Sequence, residues 1–239
     1  MPVGSRVDGE VERPRAVSEY LVERMTLAGC DKICFVIGPH KSDIVEYYGA
    51  RAGAADAFYV VQPSAAGLCD ALFRAAPFVG DDEDVVIGLP DTVWFPEDGL
   101  ARLGDDPLSF LLFPVARPEL FDAVLTDEDG AVREIQVKQA DAGSHWIWGA
   151  AKARGRVFRT LHALWCSRQR VDPYLGTLVN AYLAAGGRAR GVRGGEAYVD
   201  VGTLHGYREA IELLARRAHE GPATVATVEP HGRLRAVQP

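Results

Sequence analysis

The sequence of 239 residues predicts an α/β fold, a doubly wound, mostly parallel (mixed) sheet of Rossmann-like type. Three observations predict it. The apolar runs Ile33–Ile37, Phe58–Val61 and Val85–Ile87 lack polar alternation, so each reads as a strand covered on both faces. Segments with helical spacing of apolar residues alternate with these runs through residues 16–115. Glycine or proline closes most segments, as at Gly29, Gly38-Pro39, Gly49 and Pro77.

Taken in order, residues 1–13 are polar, glycine-bearing and without periodicity, and residues 1–15 are expected to be poorly ordered. Val17, Leu21, Met25 and Leu27 mark a helix from Ala16 to Cys30, and strand Ile33–Ile37 follows. Ser42 is placed to cap a short helix bearing Ile44, Val45 and Tyr48. After strand Phe58–Val61, Ser64 is placed to cap a helix reaching about Ala76. Val85–Ile87 is the third strand and Leu108–Val115 the fourth.

The pattern then changes. Ala123–Thr126, a turn at Asp129-Gly130, and Val132–Val137 predict a hairpin, and His145–Ala151 adds a strand, in a portion spanning about 121–151. Helices around 158–164 and 176–185, a short strand Ala197–Val201 and a helix from Leu204 to Arg217 complete one domain over 16–219. The segment 220–239, rich in proline, glycine and alanine, is expected to be loosely held.

Composition narrows the function classes. A net charge of −7 offers no attraction to nucleic acid or to an anionic membrane surface, and no apolar run has bilayer length. Cys30, Cys34, Cys69 and Cys166 are scattered and fit buried free thiols, so the protein is expected in the cytoplasm. Lys32, Lys41, Lys138 and Lys152 are the only lysines, which draws attention to any lysine within a motif.

Four segments carry chemistry-bearing residues at strand ends, where open α/β sheets collect ligands. In Gln62-Pro63-Ser64-Ala65-Ala66-Gly67-Leu68, the Gln62 amide suits the edge of a nucleobase, and Gly67 admits a flat ring close to the backbone. A plain strand-to-helix turn with a serine cap is the alternative. In Leu89-Pro90-Asp91-Thr92, Asp91 is a hard oxygen ligand at the rim of the sheet, or else a turn cap. In Tyr198-Val199-Asp200-Val201-Gly202-Thr203, Asp200 lies in an apolar strand, where an unpaired carboxylate is costly. In Gln136-Val137-Lys138-Gln139, Lys138 is a candidate phosphate contact or a solvated edge lysine. Two distant aspartates at strand ends suggest one magnesium site for phosphate chemistry.

In collinear order over residues 2–217 these segments resemble the sugar-1-phosphate nucleotidylyltransferase family, glucose-1-phosphate thymidylyltransferases included. The matches are Q-P-x-x-x-G-L at Gln62–Leu68, the first metal aspartate at Asp91, the lysine of E-K-P at Lys138, and D-x-G-T at Asp200–Thr203. Ser144–Ala150 looks like the family strand that brings a glycine, here Gly149, near the sugar. The resemblance implies transfer of a nucleotidyl group from a nucleoside triphosphate to a sugar 1-phosphate, with pyrophosphate released. It implies Mg2+ on Asp91 and Asp200, the base on Gln62 and Gly67, and the sugar phosphate on Lys138 and Gly149. Family members often assemble as homo-oligomers.

The departures are specific. The family's G-x-G-T-R-x-x-P loop, with the strand before it, precedes P-V-G, and the present sequence starts at that point, Pro2-Val3-Gly4. Val137 replaces the glutamate before the lysine, and Ala123 replaces a hairpin glycine. These departures predict a sheet without its first central strand. They leave open a non-catalytic relative that binds a nucleotide or nucleotide sugar, or a partner subunit.

Overall fold

A computed structural model describes residues 1–220. A hairpin of β1 (Pro2–Asp8) and β2 (Val11–Ala16) leads into α1 (Val17–Leu27), β3 (Lys32–Ile37), α2 (Ser42–Tyr48), β4 (Arg51–Ala52) and β5 (Ala55–Val61). Next come α3 (Leu68–Phe73), β6 (Asp84–Gly88), β7 (Thr92–Phe95), β8 (Leu108–Pro114), β9 (Asp122–Thr126), β10 (Val132–Val137) and β11 (Trp146–Arg154). The last elements are α4 (Gly155–Ser167), α5 (Leu175–Ala184), β12 (Arg190–Val192), β13 (Ala197–Asp200) and α6 (Leu204–Glu220).

The fold is mixed α/β. The main sheet has the order β10-β9-β11-β8-β12, with β6 also on β11, and β3-β5-β4 forms a second sheet. Parallel pairing joins β3 to β5 and β8 to β12, whereas β11 pairs antiparallel with β6, β8 and β9. The parallel share is therefore smaller than the strand–helix alternation predicts. The physical reason is the insertion of β11, antiparallel to both, between β6 and β8: two strands that run the same way and could have paired in parallel are held apart.

β8 fills one edge of β11, so β9 and β6 share the other: β9 meets Ile147, and β6 meets Ala150–Arg154. Gly149 sits at the register shift between those two stretches. Among the described residues, β3 pairs only with β5 and β6 only with β11. Each keeps one unpaired edge, the arrangement expected of a sheet without a central strand. The middle of β3 (Cys34, Phe35, Val36) and of β6 (Val85, Val86) is only half-buried, while β8 is buried from Leu108 to Phe113.

The main core packs α3, α4 and α5 on one face through Phe73, Phe158, Leu161, Trp165, Leu175 and Leu178. On the other face Leu21 of α1 reaches Trp94, Leu111, Phe113 and Ile147. Arg24 of α1 is 1 % exposed, donating from Nε to the Trp94 carbonyl at 2.9 Å and from Nη1 to that of Tyr20 at 2.8 Å.

Several expectations need correction. Residues 2–16 are not without structure but form the β1–β2 hairpin. Its turn uses Gly9 at φ +64°, its inner end is held by fully buried Val3, and Arg6 pairs with Glu19 of α1. So few apolar residues are needed that periodicity does not reveal it. Ser64 caps nothing: α3 starts at Leu68, because Gly67 at φ +95° keeps the chain out of helix until then. Ser42 is the first helical residue rather than a cap. Cys166 is exposed, against the expectation of a buried thiol. The proposed loose segment 220–239 lies outside the described residues, apart from Glu220 at the end of α6. No helix among the described residues is long and apolar enough to cross a membrane.

Candidate functional site

The site is assembled by two short strands. β7 and β13 pair antiparallel with Thr92 opposite Asp200, and Val201 N–H donates to the Asp91 carbonyl at 2.8 Å. The ladder carries Asp91, just past the end of β6, to the side of Asp200. A methyl group built on Gly202 would lie 2.9 Å from Asp200 Oδ1 and 3.8 Å from Asp91 Oδ2, so both carboxylates reach toward one point. Both residues are solvent-exposed. Desolvation by the strands beneath it, then the negative charge of Asp200, raises the Asp91 carboxyl above its ordinary value, against a main-chain hydrogen bond that lowers it.

The remainder of the D-V-G-T segment has structural work. Gly202 N–H donates to Asp200 Oδ1 at 2.7 Å, fixing that carboxylate, and Gly206 N–H donates to Thr203 Oγ1 at 3.0 Å, capping α6. Tyr198, two residues back on β13, packs at a tilt against Phe113 and meets Phe121 edge-on. Burial, then the charges of Asp200 and Asp91, with Asp122 also contributing, pushes its hydroxyl pKa up. The Cβ side of Gly149 is filled by these rings: a methyl there would come within 2.6 Å of both Phe113 and Tyr198. Gly149 thus makes room for Tyr198 beside the aspartates.

The Gln62 segment is locally tied. Gln62 Nε2 donates to the Gly67 carbonyl at 3.1 Å and to Asp70 Oδ2 at 2.9 Å, and Asp70 is gripped by Arg74 at 3.0 Å. Gly67 is required by a neighbour: a Cβ there would stand 2.6 Å from the Pro173 carbonyl oxygen, and Leu68 N–H donates to that same oxygen at 2.7 Å.

Lys138 follows β10 with φ +48°, its N–H donating to the Phe121 carbonyl at 2.9 Å and its Nζ 5.4 Å from the centroid of the Tyr174 ring. Pro173 against Gly67 and Tyr174 against Lys138 are consecutive residues. The connection between α4 and α5 therefore ties the Gln62 segment to the lysine.

Three residues that sequence reasoning passed over line this region. Asp122 opens β9 opposite Val137, and accepts from Trp148 Nε1 at 3.3 Å. Burial raises its carboxyl pKa, with the Trp148 hydrogen bond and the Lys138 charge working the other way. Tyr174 lies beside Lys138. The one available signal was Asp122 itself, an acid opening an otherwise apolar strand. An open cleft of about 480 Å³ at the β9–β10 turn, lined by residues such as Asp127, Asp129 and Arg193, contains none of these groups.

The family model described as nucleotidyl transferase matches residues 11–217. Among solved structures the fold is similar to that described as a glucose-1-phosphate thymidylyltransferase from Bacillus anthracis in complex with a sucrose. That likeness has a TM-score of 0.68 at 22 % identity over 82 % of this chain and 81 % of that one. It is also similar to a UDP-glucose pyrophosphorylase complexed with UDP-glucose, with TM-score 0.68 at 18 % identity over 85 % and 91 % of the two chains. A UTP-bound UGPase from Acinetobacter baumannii gives TM-score 0.69 at 18 % identity over 88 % and 84 %. No curated protein matches the chain.

Proposed function

The chain belongs to the nucleotidyl transferase family, and on that premise we propose that it joins a sugar 1-phosphate to a nucleoside triphosphate with release of pyrophosphate. The observation that carries this reading is the meeting of Asp91 and Asp200 at one exposed rim.

The donor set fits magnesium. Two hard carboxylates lie side by side, and Asp91 is raised partly by the charge of its neighbour, a strain that a divalent cation relieves. Among the described residues no group of three or more metal-binding side chains exists, so phosphate oxygens and water would complete the shell, as magnesium commonly requires. Bound there, the ion would neutralise charge building on the transferring phosphate.

The other roles follow from position. Lys138 holds the phosphate of the sugar 1-phosphate as a point charge, and Gly149 keeps the Tyr198 wall clear beside it. Gln62 meets the base with its carbonyl oxygen, since its amide nitrogen is engaged with Gly67 and Asp70. An oxygen of the sugar phosphate attacks the α-phosphorus. The bond from that phosphorus to the bridging oxygen breaks, and pyrophosphate departs with the electron pair. Such transfer is mostly positioning and charge neutralisation. The unpaired edges of β3 and β6 support a companion expectation, that a further strand completes the sheet in the working enzyme.

The test is magnesium-dependent pyrophosphate release across a panel of nucleoside triphosphates and sugar 1-phosphates. Turnover that falls about 100-fold or more in Asp91→Asn and Asp200→Asn supports the reading. Absence of turnover with every pair would overturn it. Nucleotide binding that persists without turnover, and depends on both aspartates, would favour a non-catalytic binding relative.

A further inference from the structure

Asp122 holds acceptor capacity that no side chain among the described residues uses beyond one bond. An ionised carboxylate offers two oxygens and about four lone-pair positions. Its sole side-chain hydrogen bond among the described residues comes from the Trp148 indole at 3.3 Å. The residue is half-buried, so solvent reaches only part of it. A carboxylate in that condition is costly unless donors arrive from elsewhere.

What surrounds it specifies those donors. Asp122 stands directly across the hairpin from Val137, the residue before Lys138. The charge of Lys138 acts on it. A Cβ on Gly176 would come 3.3 Å from Asp122 Oδ2 and 2.8 Å from a Val137 methyl, so the first turn of α5 closes that side and leaves space only for hydrogen. Tyr174, 40 % exposed, offers a flat apolar face beside the lysine. A ligand fitting these groups carries an anion for Lys138, a carbon skeleton for the Tyr174 ring, and hydroxyl donors for Asp122.

From this juxtaposition we infer that Asp122 is the residue that reads the sugar, accepting hydrogen bonds from one or two hydroxyl groups of a phosphorylated sugar whose phosphate lies on Lys138. The inference rests on the reaction proposed above and names its acceptor-side substrate: a sugar 1-phosphate with free hydroxyls, as opposed to a deoxy or acylated one at those positions.

The experiment is calorimetric titration of UDP-glucose, dTDP-glucose and GDP-mannose, each beside its own nucleoside diphosphate, into wild type, Asp122→Asn and Asp122→Ala. Asp122→Asn keeps an oxygen for Trp148 and so preserves the fold, which thermal melting of both variants verifies. The wild type is expected to bind at least one nucleotide sugar more tightly than its diphosphate. Both variants should lose about tenfold or more of that sugar-dependent gain, the scale of one charged hydrogen bond, while diphosphate affinity stays level. Wild-type and Asp122→Asn affinities that agree for every nucleotide sugar would overturn the inference and leave the reaction standing. A wild type that binds neither sugars nor diphosphates would overturn the reaction, and the inference with it. Equal losses for sugar and diphosphate would assign Asp122 a merely structural part, also against the inference.

Discussion

Val201 donates its main-chain N–H to the carbonyl oxygen of Asp91 at 2.8 Å, and this bond sets two carboxylates side by side. β13 is thereby fastened to β7 at the point where Asp200 faces Thr92. The strands are short, so the meeting of Asp91 and Asp200 depends on a few ladder bonds more than on a large core. The arrangement stores repulsion, and that repulsion is measurable.

Asp91→Asn should be more stable than wild type at neutral pH. The folded Asp91 carboxyl is raised by burial and by Asp200. Its contribution to stability is therefore fully present below the unfolded carboxylate range, near pH 4, and lost as pH rises through the folded value. The gap between variant and wild type should widen across that window and then level, as read from urea unfolding at a series of pH values. Magnesium should raise the melting temperature of wild type and leave that of Asp200→Asn almost unchanged. A gap that narrows as pH rises would contradict this account.

Gly67→Ala should destabilise the protein by about 1–3 kcal/mol, from a disfavoured backbone conformation and overpacking together. The glycine has φ +95°, and a Cβ would stand 2.6 Å from the Pro173 carbonyl. Because Pro173 precedes Tyr174, the same change should weaken the hold on Lys138, seen as a higher KM for the sugar 1-phosphate. Thermal melts and kinetics on one preparation check both.

Gly149→Ala should behave differently. Its Cβ would meet Phe113 and Tyr198 rings at 2.6 Å, so overpacking costs about 1–3 kcal/mol and displaces Tyr198 toward the aspartates. Magnesium affinity should fall along with stability, as titration calorimetry would read. A variant that melts low but binds magnesium normally would separate the two.

Gln62 should favour bases that present an N–H to a fixed carbonyl oxygen. Its amide nitrogen is committed to Gly67 and Asp70, at 3.1 and 2.9 Å. Uracil, thymine and guanine offer a ring N–H, whereas adenine and cytosine offer a ring acceptor there. Competition among the five triphosphates should rank the first three above the others, and Gln62→Leu should erase the ranking.

Arg24→Ala should cost about 2–5 kcal/mol, the scale for emptying a large buried side chain, with the donors to the Trp94 and Tyr20 carbonyls lost as well, whereas Arg24→Met should cost much less. The guanidinium lies against Tyr20, Trp94 and Phe95, where burial lowers its pKa to about 10. Denaturant unfolding of the pair decides.

The parts of the fold legible in sequence are those whose residues carry their own signal. Ile33–Ile37 and Val85–Ile87 became β3 and β6 because continuous apolar runs allow little else, and the turn at Asp129-Gly130 joined β9 to β10 as expected. β7 stayed hidden because Thr92–Phe95 is a stretch of four residues between two prolines, and it exists only where β13 pairs with it. β12 is shorter still. The β1–β2 hairpin is held by Val3 and arginine–glutamate contacts, which leave no periodicity. The aspartates could be named from their place at strand ends, but their approach to one another depends on a pairing between segments far apart in sequence. Asp122 was passed over because an acid at a strand's first residue usually faces water. Only the register against Val137 and the Trp148 ring shows otherwise.

The unpaired rims of β3 and β6 also bear on how the molecule behaves at concentration. Each is a row of main-chain donors and acceptors backed by half-buried side chains, Cys34, Phe35 and Val36 on β3 and Val85 and Val86 on β6, which is the surface on which extended chains stack. Light scattering should grow with protein concentration faster than for a sheet with closed rims. An extended peptide rich in β-branched residues should suppress it, acting as a plug that leaves neighbouring molecules nothing to grasp.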